Sequence, residues 1–210
     1  MLRLACYVVF TALLLGNGSP SFADEAAPTT DPSTAVHEFS DQLQSLKKSF
    51  DELSKTIETD TKTLDSKTDI KAAEDQIATL KASVSTLLAQ VADNGSVAQF
   101  GMNALSRAQA KIKSIESDPT LPTETRDYFI TRWRGIETDT RTALEELQKA
   151  RREFLDLLNR LQNNQHILEE MQQIGVAEKA IDTIHQLTDQ IRNATRQLKS
   201  LIGEIKAPQS

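Results

Sequence analysis

The chain has 210 residues, of which 39% are hydrophobic, only 5% are aromatic and 26% are charged. So few aromatic residues, with only seven glycines, exclude a β-sandwich or β-barrel, because those folds need aromatic and β-branched strands joined by glycine-rich turns. The net charge of −6 and the lack of a basic stripe exclude nucleic acid as a partner and a polybasic membrane-surface protein. The composition is typical of helical bundles and coiled coils.

Residues 1–23 form a predicted secretory signal peptide. Arg3 precedes an apolar run from Leu4 to Leu15, Gly and Pro follow, and small residues precede an expected cleavage site after Ala23. The apolar run is shorter than the about 20 residues that a membrane-spanning helix needs, so we expect no stable membrane insertion after cleavage. A retained anchor is the alternative.

The only cysteine, Cys6, lies inside this predicted signal peptide. The mature chain would therefore enter a compartment that permits disulfides without using any. This favours the bacterial periplasm, with an extracellular location as the alternative.

Residues 24–32 are an acidic, Pro- and Thr-rich segment that we interpret as a flexible leader. Ser33 or Thr34 is expected to cap the first helix, with Pro32 just before it. The apolar residues then recur at alternating intervals of three and four, which places them on one face of a helix. They are Val36, Phe39, Leu43, Leu46, Phe50, Leu53, Ile57 and Leu64. The spacing slips in the polar residues 65–69, where we expect a turn; a continuous helix with a stutter is the alternative.

Two shorter helices are predicted next. The second has its apolar stripe between Ile70 and Val91. Asn94 and Gly95 tolerate the left-handed backbone of a helix end, and Ser96 can cap the third helix. On the core-facing side of the third helix, Gly101 and several alanines replace larger residues, so we expect a narrow core there. Prolines end this helix.

Residues 122–174 form the longest predicted helix, about 80 Å at about 1.5 Å per residue. Its apolar stripe runs unbroken from Phe129 to Met171, and additional leucines widen it, which indicates more than one packing partner. Gly175 is expected to be the tip of an antiparallel hairpin, followed by a last helix with a stripe from Ala180 to Ile205.

The expected fold is therefore all-α, an elongated antiparallel helical bundle or coiled coil of about five helices. Residues 33–118 form a three-helix N-terminal region, and residues 119–210 form the long helix and the C-terminal hairpin. The last helix can cover only the C-terminal half of the long helix. The first three helices, or a second chain in an intermolecular coiled coil, must cover the other half.

A metal site in the hairpin is conceivable but is not predicted. A reversal at Gly175 brings His166 and His185 to one level, with Glu169 a turn away from His166. The heptad register points both histidines outward, so two solvated histidines are the favoured interpretation, and we expect no cofactor.

No catalytic residue is predicted. The adjacent carboxylate pairs lie beside Lys and Arg on solvent faces, whereas a general acid–base pair needs burial and convergence. The sequence contains no nucleophile elbow and no glycine-rich phosphate loop, and the mature chain would have no cysteine. We therefore expect a protein that is not an enzyme.

Residues 126–134 are the most distinctive segment, because arginines alternate there with aromatic residues in the composition of a binding hot spot. The candidate partner-binding residues are Arg126, Tyr128, Arg132, Trp133 and Arg134. The favoured interpretation of Phe129 and Trp133 is nevertheless that they are core residues covered by the arginine stems. Separately, Asn164 lies among leucines of the stripe, where a polar residue sets register or oligomeric state.

These features together predict an exported, non-enzymatic helical protein that acts through protein–protein contact or self-association in the bacterial cell envelope. It would be a spacer, adaptor or assembly partner. The alternative function is a periplasmic sensor or binding protein that responds to a metal or ligand, through His166 and His185 or a pocket beside Trp133.

Overall fold

The structure is a computed structural model that describes residues 31–65, 70–174 and 177–209. In these ranges the chain is helical and has no strand, which confirms the all-α prediction. The five helices are α1 (Pro32–Asp65), α2 (Ile70–Val91), α3 (Ser96–Glu116), α4 (Thr123–Ile174) and α5 (Ala177–Glu204). The predicted signal peptide, residues 24–30 of the leader, the side chain of Leu64 and Gly175 lie outside the described residues.

α1 begins earlier than the predicted capping by Ser33 or Thr34. The amide of Ala35 donates to the carbonyl of Asp31 at 3.2 Å, which makes Asp31 the capping position and Pro32 the first helical residue. Proline suits this position because its fixed φ is helical and the amide hydrogen that it lacks would have no partner there.

α2 and α3 lie end to end along α4, in the antiparallel direction. Three side-chain contacts give the register: Glu137 with Gln109, Arg151 with Asp93, and Gln165 with Lys81. The partners' numbers fall from α3 into α2 as those of α4 rise. α1 and α2 are separate helices that pack against each other, so the alternative of one continuous helix is wrong. Residues 66–69 of the expected turn lie outside the described residues.

α5 returns antiparallel to α4, as predicted for a C-terminal hairpin. The contacts step backwards along α5: Asn164 with Gln190, and then Met171 with Thr183. α1 and α4 each contact α2, α3 and α5, so they occupy opposite corners of the bundle. Their side chains meet in the centre, where the rings of Phe50 and Phe154 pack edge to face with centroids 5.9 Å apart.

α5 covers only one half of α4, and the C-terminal residues continue along the same corner. Ile205 and Pro208 are buried, and Lys206 lies beside Asp139 and Glu146 of α4. The other half of α4 packs mainly against α3. The first three helices therefore cover it within one chain, as one of the two predicted arrangements requires.

Lys47 of α1 holds the C-terminal end of α5. Its Nζ donates to the carbonyls of Gly203, at 3.4 Å, and of Ile205. The last carbonyls of a helix lack partners within it and form the negative end of its dipole, so a cation at this position is stabilising.

One hydrophobic core runs through all five helices and joins residues 33–118 to residues 119–209. The predicted stripes of α1 and α2 are buried from Val36 to Ile57 and from Ala73 to Val91. In α5 the buried stripe continues through Leu198 and Ile202 to Ile205, just after the helix end, whereas Leu201 is only half-buried. None of the described helices contains an apolar stretch long enough to cross a bilayer.

Gly95 makes the close junction between α2 and α3 possible. A Cβ on it would lie 2.5 Å from the carbonyl oxygen of Ala89 and closer still to that of Gln90. The φ of Gly95 is −73°, so the predicted left-handed conformation is wrong at this residue, and steric space is what requires glycine. Gly95, and not the predicted Ser96, occupies the N-cap of α3, with no side-chain hydrogen bond.

Gly101 lies where α1, α3 and α4 approach one another closely. A Cβ on it would lie 2.6 Å from Cδ2 of Leu144 and 2.8 Å from Cε2 of Phe39. The prediction of a narrow core at Gly101 is confirmed.

Candidate interaction site

The turn between α3 and α4 is held by Arg126 and Asp118. Nη2 of Arg126 donates to the carbonyl oxygens of Asp118 at 2.7 Å and of Leu121 at 3.1 Å. Oδ1 of Asp118 accepts from the hydroxyl of Thr120 at 2.6 Å and from its amide at 2.9 Å, and these bonds hold the pKa of Asp118 below its usual value. Arg126 therefore supports its own turn.

Two other predicted partner-binding residues also have partners inside the bundle. Trp133 is 8% exposed and belongs to the core, as the favoured interpretation predicted. Arg134 pairs with Glu116 at 3.0 Å and so ties the end of α3 to α4.

Three side chains at the beginning of α4 face solvent, and we name Tyr128, Phe129 and Arg132 the aromatic patch. Tyr128 is 64% exposed and Phe129 is 37% exposed. Their rings contact edge to face with centroids 5.5 Å apart. Arg132, one turn after Tyr128, is exposed and has no hydrogen bond or ion pair with any described residue.

Phe129 corrects the interpretation that this residue is core. α1 begins at Pro32, so only its first turn reaches this level of α4, and Phe129 lies at its edge. A cavity of about 180 Å³ lies between the first turn of α1 and α4. It is lined by Ser33 of α1 and by Phe129, Arg132, Trp133 and Ile136 of α4. This cavity offers a recess for a partner's side chain beside the exposed rings.

The weak metal candidates do not converge. Nε2 of His166 lies 3.3 Å from Glu170 and its Nδ1 lies 3.9 Å from Glu169, both one turn away on the same exposed helix surface. His185 is exposed on α5. In the part of the chain that the structure describes, no group of three or more His, Cys, Asp or Glu side chains could hold a metal ion.

Asn164 links α4 to α5 through its side chain. It is half-buried, and its Nδ2 donates to the carbonyl oxygen of Arg160 at 2.8 Å and reaches Oε1 of Gln190 at 3.4 Å. The contact across the hairpin has the position that a register-setting residue needs, and that role stays a prediction.

Comparisons with protein-family models, with curated proteins and with solved structures find no match to this chain. Its function is therefore inferred from its own geometry and chemistry.

Proposed function

We propose that this chain is an exported, non-enzymatic helical protein that acts through protein–protein contact in the bacterial cell envelope, as a spacer, adaptor or assembly partner. The observation that carries the proposal is the aromatic patch. The stripes of α1, α2 and α4 are buried almost throughout, yet two touching aromatic rings lie exposed at one end of the bundle.

The patch has the chemistry of a protein contact. Tyrosine and phenylalanine provide large contact areas with few rotatable bonds, and tyrosine and arginine are enriched among residues that dominate binding energy. Arg132 has no carboxylate partner among the described residues, so we expect a partner surface that is apolar and carries a carboxylate.

The position of the patch suits a spacer or adaptor. α4 has 52 residues, and at about 1.5 Å per residue it extends for about 78 Å. The patch lies in its second and third turns, so a partner bound there leaves the opposite end of the bundle accessible.

The contact is tested by placing a photocrosslinking amino acid at position 128 of the chain in the producing cell. The matched control places it at the exposed Thr138 of the same helix. We expect a defined adduct from position 128 alone, and mass spectrometry then identifies the protein in it. That protein, once purified, should bind the chain at least tenfold more weakly after the double substitution Tyr128→Ser and Phe129→Ser, with Tm unchanged. Equal binding by the double variant would refute the contact.

Light scattering on the purified chain tests self-association at the same surface. An oligomer that the double substitution dissociates would make a second copy of the chain the partner.

Export is tested separately by the N-terminal sequence of the protein recovered from the cell. We expect the chain to begin at Asp24 and to fractionate with the envelope. Protein that retains residues 1–23 in the cytoplasm would refute export and would leave the crosslinking result intact.

A further inference from the structure

A second site lies between α1 and α5, in the half of the bundle away from the aromatic patch. The two helices enclose a cavity of about 210 Å³ that opens to solvent. Three of the five buried polar side chains in the described part of the chain line it: Ser54, Thr61 and Thr195. The polar groups of the core are thus concentrated at one place.

The three hydroxyls of this cavity differ in their partners. The hydroxyl of Thr61 donates to the carbonyl of Ile57, and that of Thr195 to the carbonyl of Ile191, each at 2.8 Å. Ser54 is 2% exposed, and its hydroxyl has no hydrogen-bond partner among the described residues. Because Ser54 lines the cavity and its hydroxyl has no partner among the described residues, that hydroxyl is available as a donor to a ligand that enters the cavity.

Four basic residues line the cavity, although the sequence shows no basic stripe. Lys62 comes from α1, and Arg192, Arg196 and Lys199 come from one face of α5, whereas Glu58 is the only carboxylate in the lining. Arg192 lies 3.5 Å from Asp189. The other three cations have no carboxylate partner in the described ranges. In a chain of net charge −6, this is a local positive surface.

We propose that this α1–α5 cavity binds a small anion of the phosphate type, either inorganic phosphate or a phosphate monoester. The two guanidinium groups and two ammonium groups of the lining residues supply charge-assisted hydrogen bonds, and the hydroxyl of Ser54 supplies a further donor. Ile57 and the threonine methyl groups make the remaining wall apolar, which suits a small organic substituent on the phosphate.

The size of the cavity limits the ligand. Pockets for drug-sized ligands start at about 300 Å³, and this cavity is smaller. The site therefore encloses at most a small anion with a short substituent, and any larger part of a ligand would extend into solvent. The cavity is thus a different location for ligand binding from the two that the sequence suggested, which were His166 with His185 and a pocket beside Trp133.

Isothermal titration calorimetry of the purified chain with inorganic phosphate and with phenyl phosphate, at constant ionic strength, tests the proposal. We expect saturable binding of at least one probe. The double substitution Arg196→Gln and Lys199→Gln should weaken it at least tenfold. The matched control, Lys111→Gln and Lys113→Gln on the exposed face of α3, removes the same charge and should leave binding within twofold.

Ser54→Ala separates ligand binding from a structural role. We expect it to weaken binding several-fold without lowering the Tm of the ligand-free chain, because the lost hydroxyl has no partner among the described residues. The proposal would be overturned if neither probe binds, or if the two double variants weaken binding equally. A fall in the Tm of Ser54→Ala with unchanged binding would do so as well.

A phosphate monoester can also be a lipid headgroup, and vesicle sedimentation distinguishes the two sources. The probe is phosphatidylcholine vesicles with and without phosphatidic acid. Sedimentation that needs phosphatidic acid and is lost in Arg196→Gln with Lys199→Gln would assign the site to a lipid headgroup. Binding of phenyl phosphate without sedimentation would assign it to a free ligand.

Discussion

Replacement by alanine is expected to have opposite effects on stability at Gly101 and at Gly135. Both lie inside α-helices, so alanine at either position gains about 1 kcal/mol of helix propensity. A methyl group on Gly135 would meet no atom within 4 Å, so Gly135→Ala should keep this gain in full. At Gly101 the methyl group would lie 2.6 Å from Leu144 and 2.8 Å from Phe39.

The stability cost of Gly101→Ala depends on which neighbouring side chain can move away from the new methyl group. Leu144 is half-buried and can rotate, but Phe39 is fully buried in the hydrophobic core. Forcing an extra methyl group into a packed core costs about 1–3 kcal/mol. The about 1 kcal/mol of propensity offsets part of this, so Gly101→Ala should be about 0–2 kcal/mol less stable than the parent chain.

Thermal and denaturant unfolding, followed by circular dichroism, measure the two variants side by side. For a chain of this size about 1 kcal/mol corresponds to about 2–4 °C, so Gly135→Ala should raise Tm by about that amount. The quantity that tests the packing is the difference between the variants, about 1–3 kcal/mol in favour of Gly135→Ala. If Gly101→Ala stabilises the chain as much as Gly135→Ala, the close approach of α1, α3 and α4 is refuted.

Three further substitutions test individual contacts. Lys47→Met removes the hydrogen bonds to the end of α5 and should cost about 1 kcal/mol in denaturant unfolding; no change would contradict the capping role. The hydrogen bond from Gln109, and then Arg141, hold the pKa of Glu137 below its usual value. The unfolded chain therefore binds the proton more tightly, and the stability from Glu137 is present above the ordinary glutamate pKa and lost as the pH falls through the lowered one. Glu137→Gln should accordingly flatten the acid side of the stability–pH curve, and an unchanged slope would exclude this linkage. Asn164→Leu should raise stability by about 1 kcal/mol and, by removing the polar constraint, produce oligomers in light scattering; a strictly unchanged oligomeric state would leave Asn164 without a register role.

The sequence predicts the helices well because their signal is local. The interval of three and four residues fixes which face of α2 is buried, and every stripe residue from Ala73 to Val91 is in the core. The ends are also predicted closely: α4 begins at Thr123, one residue after the expected start, and ends at Ile174. Capping is less predictable, since Asp31 and Gly95 take the positions expected for serine or threonine.

The sites depend on register between helices, which periodicity alone does not give. The arginines of residues 126–134 are equivalent in sequence, but Arg126 and Arg134 have partners in the α3–α4 turn and on α3, and only Arg132 remains exposed without one among the described residues. In the same way, Arg196 and Lys199 are ordinary surface cations in the sequence of α5. They form part of a basic site only because α5 lies beside Ser54 of α1.

The interface between α1 and α5 also has a consequence for the order of folding. It joins residues separated by up to 158 positions, as in the bond from Lys47 to Ile205, whereas the α3–α4 hairpin closes over a few residues. The entropy of closing a loop grows with its length, so local hairpins form before distant segments meet. Docking of the C-terminal helix onto the N-terminal one is then the last step of assembly. A ligand bound in the cavity between these two helices would stabilise the fully assembled bundle.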